Sequence, residues 1–244
     1  VYTLSVVKRP LFLVALLILS ALEVRSDEPY GDSELVFARV QFTMSLDSLF
    51  QAEAPWHHDY PFSEHFYLGI LREVTSLRTT DQANEIVQLG SDEIFQFPFL
   101  YVSEPGFMQL QPEEEDNLRE YLKRGGFIMF DDFRGQDFYV LQSYLKMAFP
   151  DREMFRLDLT HPVFNSYYQI ESLEMEAPYM DSRFSGNPEF WGMHDDDGRL
   201  MLVANHNNDI GEFWEALDKA QEPLQPAIDA VQLGVNYMMY TMTH

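Results

Sequence analysis

A three-layer α/β/α sandwich on a mainly parallel sheet is the fold class this sequence predicts, and three observations carry the expectation. The stretch from Leu110 to Asp132 holds, in order, a helix start, a helix stop and a buried strand. Short apolar runs alternate with segments of helical periodicity along most of the chain. A hairpin signal, Asp197-Gly198, adds an antiparallel piece to the sheet.

Within the Leu110 to Asp132 unit, Pro112 suits the first helical position. Glu113, Glu114 and Glu115 suit the positive end of the helix dipole, and Lys123 and Arg124 suit its negative end. Gly125 can take the left-handed cap. Leu118, Tyr121 and Leu122 share a helix face, while Phe127, Ile128, Met129 and Phe130 form a continuous apolar run, as in a strand covered on both sides. Asp131 and Asp132 close that strand at its carboxyl end, where open α/β sheets bind ligands.

Taken from the start, residues 1–26 read as a secretory signal peptide: Lys8 and Arg9 precede the apolar run from Leu11 to Leu22, and Val24-Arg25-Ser26 ends it. Export to the periplasm or cell exterior follows, with an uncleaved membrane anchor as the alternative. Residues 27–244 then form one α/β domain, entered through an acidic spacer ending at Ser33. Val36, Ala38, Val40 and Phe42 alternate with Arg39 and Gln41, which predicts a first strand over 35–42 with one polar face. The loop from Trp56 to Phe62 leads into a helix ending near Thr75, with Ser63 as its N-cap. Strands are expected over 86–89 and 97–102, the second set back by Pro98. Phe138, Leu141, Leu145 and Ala148 mark a helix over 137–149 that Pro150 stops. Residues 155–159 read as a strand and 171–187 as an irregular excursion. The runs 190–193 and 199–204 read as the arms of the hairpin around His194 to Gly198. A short amphipathic segment over 211–219 precedes a last helix with Ile228, Val231, Val235, Met238, Met239 and Met242 on one face.

Composition narrows the function. Removing residues 1–26, with Lys8, Arg9, Arg25 and Glu23, takes the formal net charge from −24 to −26. That field repels nucleic acid and anionic lipid, so no nucleic acid and, after cleavage of the signal, no membrane is expected as a partner. A neutral or cationic ligand, a metal ion or a basic protein remains compatible. The chain has no cysteine, which excludes thiol chemistry and disulfides. Gly-x-Ser-x-Gly, Gly-x-Gly-x-x-Gly, Walker and His-Glu-x-x-His patterns are missing as well, so no cofactor and no resident metal is predicted.

Three polar clusters sit at predicted strand ends or in the loop after the first strand: His57-His58-Asp59-Tyr60, Asp131-Asp132 with Arg134, and Asn205-His206-Asn207-Asn208-Asp209. His161, held extended by Pro162, can stand near the same rim. The candidate ligand-binding residues are Asp59, Tyr60, Asp131, Asp132, Arg134, His161, Asn205, His206, Asn207 and Asp209. Such carboxylates, imidazoles and amides can orient a polyhydroxylated ligand or hold a divalent metal, and their spacing selects neither. Asn and Asp also cap turns and satisfy their own backbone, which is the competing structural reading of each. Asp195-Asp196-Asp197-Gly198 fits a solvated hairpin tip better than a calcium loop, since the distant bidentate Glu is missing.

Four stretches carry a family resemblance: FARVQF from Phe37 to Phe42, the Trp56 to Pro61 loop ending in Asp59-Tyr60-Pro61, the Phe97 to Tyr101 strand, and Leu118 to Asp132. His161-Pro162 and Asn205 to Trp214 fit the later part of the same pattern. On these the chain resembles the family catalogued as domain of unknown function 4159. The resemblance implies a fold similar to class I glutamine amidotransferase-like, flavodoxin-like domains, and bacterial envelope-associated proteins. It does not carry amidotransferase activity here, because that chemistry needs a cysteine.

The leading expectation is therefore an exported, non-catalytic ligand-binding domain, with carbohydrate the first ligand to test on the strength of Trp56, Tyr60 and Trp214 beside the carboxylates. The alternatives are a metal-assisted or carboxylate/histidine-based hydrolase, with Asp131 or Asp132 as base and His161 or His206 as its partner, and an envelope assembly protein with a protein partner.

Overall fold

The alternating pattern resolves into a seven-stranded mixed sheet in the computed structural model, which describes residues 34–46, 48, 53–176, 186–217 and 223–244. The predicted signal peptide, the acidic spacer and part of the excursion over 171–187 lie outside the described residues. The strands are β1 (Phe37–Gln41), β2 (Asn84–Gln88), β3 (Phe99–Ser103), β4 (Phe127–Phe133), β5 (Phe155–Arg156), β6 (Glu189–His194) and β7 (Leu200–His206), in the order β2-β1-β3-β4-β7-β6-β5. Strands β2, β1, β3, β4 and β7 run parallel, and the predicted hairpin supplies β6 antiparallel to β7. Strand β5 pairs antiparallel with β6 over only two residues, shorter than the five expected. The chain leaves β1 toward one sheet edge and crosses back to β3, so the switch point lies between β1 and β3.

Helices cover both faces, and the alternation of side chains along each strand sorts the core into two parts. Phe37, Phe99, Tyr101, Phe127 and Met129 pack under α1 (Phe62–Val74), α4 (Ile210–Glu215) and α5 (Leu224–Thr243). Ala38, Val40, Leu100, Val102, Ile128 and Phe130 pack under α2 (Pro112–Lys123) and α3 (Asp137–Ala148). Burial from two sides is why β3 and β4 read as unbroken apolar runs.

The Leu110 to Asp132 unit forms as its signals direct. Pro112 opens α2, and Gly125 closes it at φ 104°, with the Gly126 amide donating to Tyr121 O at 3.0 Å as in a Schellman cap. Glu114 does more than favour the dipole. It is buried, and its carboxylate accepts from the Gln111 amide at 2.8 Å and from the Thr43 amide at 2.8 Å, tying α2 to the end of β1.

Three local expectations are corrected. Ser63 is not the N-cap of α1: Pro61 precedes the helix and Ser63 lies inside it, its hydroxyl donating to Glu64. Arg39 does not form a polar outer face of β1, because α1 covers that side and leaves Arg39 fully buried. On α5, Ile228 and Met242 stay exposed. Val235 and Met238 are buried as expected, and the buried side extends through Ala227, Ala230, Leu233, Gly234 and Tyr237, where small residues let Trp214 and Tyr67 approach the helix. Trp214 stacks on Tyr67 with centroids 4.1 Å apart and donates to Ala230 O at 3.2 Å, so it belongs to the core and not to a binding surface. Among the described residues no helix is long and apolar enough to cross a membrane.

Candidate functional site at the carboxyl rim

A buried guanidinium founds the site. Arg39, on β1, pairs with Glu64 of α1 through Nε, and its Nη2 donates to Ser63 Oγ at 3.1 Å. Its Nη1 donates to the carbonyls of Trp56 at 3.2 Å and His58 at 2.7 Å, and its plane lies over the Tyr101 ring at 4.7 Å. One side chain thus clamps the turn that leads into α1, the turn that carries His58 and Asp59. The clamp delivers them to the switch point.

The end of β4 meets this turn. Between Phe130 and Phe133 the register with β7 shifts, and Asp132 adopts φ 50°. The two aspartates consequently do different things. Asp131 is fully buried and accepts from Asn205 Nδ2 at 2.9 Å, the Gly211 amide at 2.8 Å and Tyr101 Oη at 3.2 Å. Gly211 is required there, since a Cβ at that position would lie 2.5 Å from Tyr101 Oη. Asp132 faces the turn instead, its Oδ2 3.1 Å from His58 Nδ1. Asp209, the N-cap of α4, accepts from the Glu212 amide at 2.9 Å. Ligand atoms of His58, Asp132 and Asp209 all lie within 4.8 Å of one another, and those of Asp59, Glu212 and Glu215 form a second such group. His58 Nδ1 links the two, 3.6 Å from Asp59 Oδ1.

Among the described residues, the non-glycine residues at positive φ are Asp59 (67°), Glu104 (48°), Asp132 (50°) and Asn207 (55°), and all four are at this rim. Asn and Asp tolerate the left-handed region through local hydrogen bonds, whereas Glu104 has no such excuse and marks stored backbone strain.

Electrostatics follow from crowding carboxyls under little water. Burial pushes the Asp59 carboxyl up to about 8, with Asp132 and Glu212 adding to the rise. Burial and then Asp132 push Glu104 to about 8, and burial holds Asp209 well above the usual carboxylate range. Asp131 reaches about 6, burial outweighing the donors from Asn205 and Gly211. The hydrogen bond to Asp132 raises the His58 imidazole to about 9. Asp59 is 8% exposed, and its Oδ2 is buried without a hydrogen-bond partner.

The structure brings Asp59, Asp132 and Asp209 together and places Asp131 and Asn205 beneath them as supports. Asn205 Oδ1 in turn accepts from Tyr237 Oη at 3.1 Å. Asn207 also stands at the rim, where its Oδ1 accepts from the Gly135 amide at 3.0 Å. Arg134 lies just past β4, its electrostatic effect reaching Glu104. Three predicted members are elsewhere. Tyr60 points away, donating to Asn84 Oδ1 at 2.9 Å at the start of β2. His206 sits against Phe133 and Phe138 on the opposite face of the sheet, its Nε2 3.2 Å from Gly135 O. His161 lies at the other end of the sheet, its Nε2 3.0 Å from His194 Nε2 where β6 pairs with the first residue of β7. Neither histidine reaches the aspartates, and His58 takes that place. Sequence reading also missed Arg39 and Glu104. The available signals were a lone arginine inside an apolar strand and a carboxylate directly after a buried one.

A family model described as Domain of unknown function (DUF4159) matches residues 36–242. No curated protein matches the chain.

Proposed function

We propose, for a chain that belongs to the Domain of unknown function (DUF4159) family, that it is an exported ligand-binding domain whose site is the rim formed by Asp59, Glu104, Asp132 and Asp209 around His58. The observation that carries this reading is the convergence of these groups, from four separate segments, at the carboxyl ends of parallel strands beside the switch point. The parallel strand order β2-β1-β3-β4-β7 follows the 2-1-3-4-5 pattern, which supports a flavodoxin-like, glutamine amidotransferase-like sandwich without that fold's thiol chemistry. Export is supported by the basic and apolar character of residues 8–22.

Carbohydrate is the ligand class favoured. A groove of about 440 Å³ runs past Trp56 at the ends of β1 and β2, lined by Gln41, Gln88, Gln111 and Glu113. An indole, amides and a carboxylate together suit a neutral polyhydroxylated chain. On a glycan array the wild type is expected to bind at least one glycan class, and both Trp56→Ala, in the groove, and Asp132→Ala, at the rim beside it, to bind it about tenfold or more weakly. A folded wild type that binds no glycan removes the carbohydrate assignment.

A second reading, a carboxylate and histidine hydrolase, is favoured by the raised Asp59 and Glu104 carboxyls beside His58, since a protonated acid at neutral pH is what general acid catalysis needs. Turnover of glycoside or ester substrates by the same preparation distinguishes it from simple binding.

A further inference from the structure

We infer that His58, Asp132 and Asp209 form a binding site for a single divalent first-row metal ion, with Asp59 standing beside it against His58. The inference deepens the reading of the rim as a binding site and rests on it.

Three independent features point to a cation. The first is geometry: one imidazole nitrogen and two carboxylate oxygens already lie within 4.8 Å of one another. An ion with bonds of about 2.0–2.2 Å bridges such a set after ligand movements of under about one ångström. The second is an orphaned group. Asp59 Oδ2 is buried with no donor, in a carboxyl whose other oxygen stands 3.6 Å from His58 Nδ1. Buried carboxylates are normally paired, hydrogen-bonded or bound to metal, and this oxygen is neither paired nor hydrogen-bonded by the protein. The third is the charge balance. Asp59, Asp131, Asp132 and Asp209 are buried together with a half-buried Glu104 beside them, while the cations near them include His58, Arg134 and an Arg39 already paired with Glu64.

The donor set also indicates the kind of ion. Imidazole with carboxylates suits Mn²⁺, Fe²⁺, Co²⁺ or Zn²⁺, whereas an all-oxygen set would suit Mg²⁺ or Ca²⁺. Supporting contacts fix the ligands in advance: the Glu212 amide orients Asp209, and the register shift in β4 turns Asp132 toward His58. Positions on the ion left open by the protein are available to hydroxyls of a polyhydroxylated ligand.

The test is calorimetric titration of the chelator-treated full chain with Mn²⁺ and with Zn²⁺, alongside thermal melting. One ion per chain and a raised melting temperature are expected. His58→Gln and Asp132→Asn are each expected to weaken binding by at least about 100-fold, beyond the roughly 10–100-fold that follows loss of a supporting partner. Circular dichroism of the metal-free variants establishes that they fold. A wild-type measurement covers the case in which they do not: substoichiometric Mn²⁺ should broaden the His58 imidazole resonances before those of His161 and His194. No ion binding by the folded wild type, full-affinity binding by both variants, or equal broadening of all three histidines overturns the inference. Ion binding at these residues with no glycan bound leaves the metal site standing and removes carbohydrate; glycan binding by a protein that takes up no ion does the reverse.

Discussion

Replacing Arg39 with methionine is expected to lower the unfolding free energy by about 3–5 kcal/mol, because it strands the buried Glu64 carboxylate without its partner. The same substitution frees the Trp56 and His58 carbonyls, so the turn carrying His58 and Asp59 loses its anchor. Stability and binding can be separated. In the double variant Arg39→Met with Glu64→Leu neither charge remains buried, and most of the lost stability is expected to return, since apolar replacement of a whole buried pair is often close to neutral. Ligand and ion binding should stay lost, because Glu64 does not reach those carbonyls and Arg39 does. Urea unfolding at constant slope measures the first effect. A double variant as unstable as the single one would show that the ion pair is not what Arg39 contributes.

Asp131→Ala is expected to destabilise by a similar amount, about 3–5 kcal/mol, through a different cause. Its two oxygens satisfy three buried donors, from Tyr101, Asn205 and Gly211, and each unsatisfied donor costs roughly 1–3 kcal/mol, with relaxation recovering part of the sum. Asp131→Asn is expected to cost less, about 1–2 kcal/mol. Its oxygen can keep Tyr101 and Gly211, while its amide meets the Asn205 amide and forces that side chain to turn away from Tyr237. Denaturant midpoints of the two variants check the order. Equal midpoints would mean that Asp131 acts through its charge and not through the donors it gathers.

These two residues also show what was legible in the sequence. Helix α2 and strand β4 could be read because Pro112, the acidic first turn, Gly125 and a four-residue apolar run are local signals that tertiary packing reinforced. Asp132 and Asp209 were found for a similar reason, since one stands at the end of an apolar strand and the other opens a helix. Arg39 was not, because alternation in β1 describes two faces but not which face a helix will cover; only α1, twenty-odd residues later, decides that. His161 and His206 were assigned to the rim from their places in the chain. The turn after a two-residue β5 carries His161 back to His194 at the other end of the sheet, and the period-two alternation of β7 puts His206 on the opposite face. Trp214 looked like a sugar platform because indoles serve both surfaces and cores; its stacking on Tyr67 follows from the docking of α4 on α1, which no local pattern encodes.

The meeting of the Arg39-clamped turn with the end of β4 is what makes the rim a site, and the imidazole of His58 reports on it directly. In chelator-treated protein, the histidine ¹⁵N resonances followed from pH 5 to 10 and assigned with His58→Gln should show His58 titrating near 9, well above the ordinary 6.5. The shift has a linked sign. The contact with Asp132 stabilises the fold fully below pH 6.5 and loses that contribution as pH rises through about 9. In Asp132→Asn the titration should move down toward the ordinary value. A His58 that titrates near 6.5 in the wild type, or that is indifferent to Asp132→Asn, would mean that the turn and the strand end do not meet, and that the rim is not a site.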